Sequence, residues 1–168
     1  TLADKVTGRG NFSMAFSFGA KAIEVEVDPG TGQMNIIEVA AAQDLGKAIN
    51  PLGAISQIEG GVHMGLGFAM YEEIVLDEVG RMRNNYLLDY RIPTALDMPP
   101  VSSILVETDD PIGPYGAKGV GEMATIGTAE SLIAAVYDAV GVWIPDLPIT
   151  PEKILLALKK KKTGGKEE

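Results

Sequence analysis

One acid in this chain stands where chemistry could be done. Glu122 closes the run Pro114-Tyr115-Gly116-Ala117-Lys118-Gly119-Val120-Gly121-Glu122, just ahead of a helix-like stretch over 125–136. Glycine permits positive φ and close approach of the backbone to a ligand. A helix N-terminus offers unbonded N–H groups and the positive end of a dipole. A carboxylate held there stays ionised, as a general base must. The alternative, on the residues alone, is a glycine-rich turn with a solvated glutamate. The preceding loop, 108–121, carries Pro111, Gly113, Pro114, Gly116, Gly119 and Gly121. Loops this long with no structure of their own are uncommon and often functional.

A second candidate surface lies on a glycine-rich helix. Asn50-Pro51 is a helix start, with Asn as the cap and Pro at the first helical position. Ile55, Ile58, Val62, Leu66 and Met70 follow at helical spacing and predict a helix over about 51–71. Gln57, Gly60, Gly61 and Met64 share a different face, at i, i+3, i+4 and i+7. Each glycine inside a helix costs about 1 kcal/mol relative to alanine. Gly60, Gly61, Gly65 and Gly67 therefore need compensation, from tight backbone packing or a bound ligand.

Other elements must position these residues. Ile23, Val25 and Val27 alternate with Glu24 and Glu26, a half-buried strand over 22–27. Asp28-Pro29-Gly30-Thr31-Gly32 is a turn, and a strand over 34–39 completes a hairpin. Short strands are expected at 73–76 and 85–88 around a Gly80 turn, and another at 101–107. A helix over about 125–140 ends at Gly141, and a last one starts at Thr150-Pro151-Glu152. Phe12, Met14, Phe16 and Phe18 alternate as one packed or interface face. His63 has no partner cluster in sequence and reads as a hydrogen-bonded core or interface histidine; Trp143 reads as an anchor onto the body of the protein. The expected fold is α+β, a single domain over 1–168 with mixed strands and about three helices.

Gly119-Val120-Gly121-Glu122 after Ala117-Lys118 resembles the active-site segment of the xanthine dehydrogenase family of molybdenum hydroxylases. Gln57-Ile58-Glu59-Gly60-Gly61 is a second match, and Tyr90-Arg91-Ile92-Pro93-Thr94 with Asp97-x-Pro99 also fits. The similarity runs from about residue 8 to the 149–158 region. The family's molybdenum-binding subunit is much longer, so this chain resembles only its C-terminal portion.

The resemblance implies roles residue by residue. Glu122 matches the general base beside molybdenum, which takes the proton from a hydroxide on the metal. Gln57 matches an amide near the molybdenum-bound end of the pterin. Gly60 and Gly61 would let the pterin or a neighbouring loop approach. Gly119 and Gly121, with Val120 between them, would let the backbone crowd the metal. Lys118 would pair with an acid or bond loop carbonyls in the same site, unless it is solvated. No metal ligand is assigned to this chain. The implied cofactor is molybdenum-molybdopterin, shared with segments outside the chain. Iron–sulfur (2Fe–2S) clusters and FAD are expected on partner chains or domains. The implied reaction is hydroxylation of an electron-poor carbon of a heterocycle or aldehyde, with water as the oxygen source.

Composition bounds the alternatives. The chain has 168 residues, 46% of them hydrophobic and 22% charged, which is globular in type. A net charge of −9 argues against nucleic acid and anionic membrane as partners. With no cysteine, neither a disulfide nor a Cys-ligated iron–sulfur cluster can form in this chain. No apolar run approaches the ~20 residues of a membrane span. The basic run at 159–162, followed by Lys166-Glu167-Glu168, reads as a frayed tail. The start at Thr1 carries no signal-peptide pattern and fits a fragment beginning inside a longer chain, in the cytoplasm. Expected partners are the remainder of the molybdenum subunit and the iron–sulfur and FAD subunits. Apolar faces left over should also drive self-association. The rival reading is a non-catalytic scaffold or assembly module derived from the same fold.

Overall fold

The structure is a computed structural model and describes residues 15–164 together with Asp4, Val6, Thr7 and Gly10. Phe12, Met14 and the 166–168 tail lie outside the described residues.

The hairpin forms as the alternation predicts, with longer arms. β1 (Gly19–Val27) pairs antiparallel with β2 (Met34–Gly46), Ile23 opposite Val39. The Asp28 carboxylate holds the turn, accepting from the Gly30 N–H at 2.8 Å and the Thr31 hydroxyl at 2.7 Å. β2 outruns its expected end because 40–42 is three alanines, which carry no alternation to read.

β3 (Val101–Glu107) lies on the other side of β2 and runs parallel to it, Val39 opposite Val101. A parallel pair needs a crossover, and α1 (Pro51–Met70) supplies it. The Asn50 side chain accepts from the Gly53 N–H at 3.0 Å, and Pro51 opens the first turn. Ile58, Val62 and Leu66 point into the core with Val39 and Ala41.

α2 (Thr128–Val140) packs beside α1. It starts later than expected, because Gly127 takes the left-handed conformation (φ 82°) and 121–127 is a succession of turns. Glu122 therefore does not stand in the first turn of a helix. The far end is as expected, with Gly141 at φ 67°. α3 (Pro151–Gly164) buries Ile154 in the same core.

Two glycines explain how α1 comes so close to the 121–127 turns and to the start of α2. A Cβ on Gly61 would sit 2.5 Å from the Ala124 Cβ, and one on Gly65 would sit 2.5 Å from the Thr128 Cβ. Packing of this kind offsets the propensity cost of the helix glycines. The α+β expectation thus holds: among the described residues, a three-stranded mixed sheet with three α-helices.

Two expectations fail. The strands at 73–76 and 85–88 are absent; one isolated bridge, Leu76 to Met82, flanks the Gly80 turn, and Tyr86 to Tyr90 is itself a turn. Ile74, Leu76, Leu87 and Leu88 are exposed, so no sheet face is there to receive them. Asn84 bonds the backbone of Val75 and Glu73 instead. Phe16 and Phe18 do not pack as a strand face either. Residues 15–18 form no strand, and the two rings are 65% and 74% exposed.

Candidate active site

The C-terminal end of β2 is where distant segments converge. Gly46 there is left-handed (φ 64°), and a Cβ would collide with Gly116 and with the Lys118 N–H. The Lys118 N–H donates to the Leu45 carbonyl at 2.8 Å, and the Lys47 N–H to the Gly116 carbonyl at 2.7 Å. These bonds lay the loop carrying Glu122 against the strand end.

Beneath the loop is a buried ion pair. The Lys118 ammonium lies 2.7 Å from Asp44 Oδ2, with side chains 12% and 6% exposed. Asp44 Oδ1 accepts from the Thr108 hydroxyl at 2.8 Å and the Gly46 N–H at 3.1 Å. The Ser17 hydroxyl donates to the Asp44 carbonyl. Burial pushes the Asp44 carboxyl up, but the bonds from Lys118, Gly46 and Thr108 outweigh it and hold the group at about 2. Next to it, the buried Gln43 amide donates to Ser17 Oγ at 3.2 Å and to the Phe18 carbonyl at 3.3 Å.

Above the pair the backbone opens into a cleft of about 650 Å³. Phe16, Ser17, Ile112, Gly119, Gly121 and Glu122 stand on its wall. A Cβ on Gly119 would meet nothing within 4 Å, and one on Gly121 would meet only Gln57 Oε1, at 3.7 Å. The N–H groups of residues 119–122 donate to no acceptor among the described residues. The Glu122 side chain is exposed and bonds nothing described, while its carbonyl accepts from the Thr125 N–H at 3.0 Å.

The structure therefore brings together some of the expected residues and separates others. Glu122, Gly119 and Gly121 share the cleft, and Gln57 borders it across Gly121. Lys118 is in the cleft wall, but its ammonium is turned to Asp44. Val120 is half-buried and packs on the core. Gly60 faces a different groove, of about 440 Å³, with His63 and Met98. Gly61 keeps the face it shares with Gln57 and Met64, all three meeting the 121–125 segment, and Gly60 is the one that turns away. Gly61 is buried, and its missing side chain makes room for Ala124. His63 bonds the Pro93 carbonyl at 2.9 Å, in keeping with a hydrogen-bonded role. Trp143 stacks on Tyr137 at 4.5 Å and stays 60% exposed, so it is not buried in the body of the molecule. Asp44, Gln43 and Thr108 were not singled out from the sequence. The one signal was polarity: Gln43-Asp44 interrupts a long apolar run just before Gly46.

A row of open N–H donors on glycine-rich backbone, an amide at its border and a carboxylate at its end suit a polar ligand that carries oxygen acceptors. Among the described residues no three His, Cys, Asp or Glu side chains cluster as a metal site. The model of the molybdopterin cofactor-binding domain matches residues 2–99. The chain belongs to this family. It is 41% identical over 161 residues to a probable xanthine dehydrogenase subunit of Bacillus subtilis, covering 96% of this chain and 21% of that one. It is 36% identical to a probable hypoxanthine oxidase of Escherichia coli, covering 92% of this chain and 17% of the other. The aldehyde oxidoreductase of Desulfovibrio gigas superposes with a TM-score of 0.85 at 34% identity, over 95% of this chain and 17% of that structure. The chain thus spans about a fifth of the length of the curated relatives it matches. Among the described residues, no helix is long and apolar enough to cross a membrane.

Proposed function

We propose that this domain forms one wall of the active site of a molybdenum hydroxylase of the xanthine dehydrogenase type. Its whole enzyme hydroxylates an electron-poor carbon of a heterocycle or an aldehyde, drawing the oxygen from water. Glu122 is the general base. The observation that carries this reading is the cleft wall itself: an unbonded carboxylate follows directly on three residues whose N–H groups have no described acceptor.

Molybdenum-molybdopterin, when bound, supplies the redox chemistry. The N–H groups of Gly119, Val120, Gly121 and Glu122 offer donors to its oxygens, and the Gln57 amide offers a donor and an acceptor beside them. Gly119 and Gly121 leave the backbone bare so that a ligand can reach those donors. Gly60 leaves α1 open on the neighbouring groove, and Gly61 sets the depth at which the 124–125 backbone sits. Lys118 acts from below, through its bond to Asp44. Glu122 accepts the proton of the attacking water and is returned to its ionised form by solvent at the open cleft. Segments outside this chain complete the pocket, and iron–sulfur and FAD partners carry electrons away.

Glu122→Gln in the complete enzyme tests the assignment. The amide keeps the size but takes no proton at neutral pH, so turnover falls about 10²–10⁴-fold with molybdenum still bound. Gln57→Ala in parallel lowers cofactor retention with a milder kinetic loss. Near-normal turnover of a fully loaded Glu122→Gln enzyme would end the assignment.

A further inference from the structure

We propose that the Asp44–Lys118 pair is a positioning device for the base: it fixes the entry of the 119–122 backbone and so sets where the Glu122 carboxylate stands. The proposal rests on Glu122 being the base. Residues 119–121 make no hydrogen bond to the described residues, and two of the four residues after Lys118 are glycine. Such a segment would wander over many conformations if its ends were free. Its ends are not free. At the exit, the Lys21 ammonium bonds the Ile126 carbonyl at 2.6 Å, and Ala124 is wedged against Gly61. At the entry, the last fixed point is Lys118, held through its backbone by Leu45 and through its ammonium by Asp44.

Asp44 is the knot of that anchor. Its carboxylate and carbonyl join β2, the end of β3 through Thr108, the 15–18 segment through Ser17 and the base loop through Lys118. Other charges near the pair are committed elsewhere. Asp110 accepts from the N–H groups of Ile112 and Gly113, at 2.9 and 2.7 Å, and Lys47 pairs with Glu107 at 3.2 Å on the exposed rim. With both its members shielded from water, the pair gives the loop one entry geometry rather than several.

The test uses the complete enzyme and four variants: Lys118→Met, Lys118→Arg, the double change Asp44→Asn with Lys118→Met, and Glu122→Gln. Each is assayed for molybdenum content, for kcat and KM, and for amide hydrogen exchange along 116–126. Lys118→Met should keep its molybdenum and lose about 10²-fold in kcat, as a misplaced catalytic group does, with KM changed less than about threefold. Exchange at the bonded amides that flank the segment, those of Ala117, Lys118 and Thr125, should speed up about tenfold or more, with the β1–β2 hairpin unchanged. Lys118→Arg should recover part of both losses. Should Lys118→Met not fold, the double variant, which leaves no buried charge unpaired, carries the same expectations. Normal exchange at Ala117, Lys118 and Thr125, or normal kcat despite faster exchange, overturns the proposal. So does failure of both Lys118→Met and the double variant to fold, which would make the pair simply part of the core. If Glu122→Gln retains turnover, the base reading fails on its own account, and the exchange data still decide whether the pair orders the loop.

Discussion

Residues 72–100 and 108–127 are both long and poor in regular structure, yet they are held in opposite ways. The first is fastened near the surface. Tyr90 donates to Glu72 at 2.7 Å, Asn84 to the Glu73 carbonyl at 2.6 Å, and Asp97 accepts twice from Thr94. These are links within the segment itself; outside it, His63 bonds the Pro93 carbonyl and the Val39 N–H bonds the Pro100 carbonyl, while Ile74, Leu87, Leu88 and Leu96 face outward. The second is fastened from below, to residues 21, 44–47 and 61, through a buried ion pair and interlocked glycines. A segment without helix or strand is thus made definite by burying its anchors. The surface-fastened one presents apolar side chains outward, as an interface does.

The sharpest way to break this contrast is to cut one anchor in each segment. Asp44→Ala leaves the Lys118 ammonium buried and unpaired, which costs about 3–5 kcal/mol. The gap should also depend on pH. Asp44 sits at about 2 against an ordinary 3.8, so its contribution is complete above about pH 4 and disappears as pH falls through about 2. Urea midpoints of wild type and Asp44→Ala should therefore converge over that window. A constant gap would mean the carboxylate's charge is not what matters.

The glycines give the next largest effect. Gly61→Ala puts a methyl 2.5 Å from the Ala124 Cβ. The overpacking, about 1–3 kcal/mol, exceeds the helix gain of about 1 kcal/mol. Its neighbour should respond with the opposite sign. Gly60 has open space at its Cβ position, so Gly60→Ala should stabilise the chain by about 1 kcal/mol or somewhat less. Melting curves that move both variants the same way would refute the assigned faces.

The smallest effect belongs to the other segment. Leu87→Ser with Leu88→Ser should change stability by less than about 0.5 kcal/mol, since both side chains are already in water. Self-association of the chain should weaken at the same time. Sedimentation that shows no change in association would release this patch from an interface role.

Most of the fold was legible because its signals are local. Alternation at 22–27, the turn at 28–32, Asn50-Pro51 and the isolated apolar strand at 101–107 each announce themselves within a few residues. The errors came where local signals mislead. Ile74 and Leu76 have strand-like chemistry but no sheet to join. Apolar residues from 125 onward look helical, while Gly127 holds the helix back to Thr128. Glu122, Gly119, Gly121 and Gln57 were legible from the two motifs and do gather at one place. Asp44 was not, because its partner is 74 residues away and only the parallel return of β3 beside β2 makes them neighbours. Gly60 turns to the neighbouring groove although spacing sets it beside Gln57, because spacing on a helix orders side chains around an axis without saying what covers each side.

The stacked pair at the end of α2 has a further consequence. Trp143 is the sole indole of the chain, it lies against Tyr137, and more than half of it meets solvent. Its ultraviolet emission is therefore a built-in optical reporter of one surface point. A subunit that covers this corner would shift the emission to the blue, whereas a ligand entering the cleft beside Glu122 would leave it alone. Coverage of this corner by a subunit can thus be followed in one cuvette, with no label added.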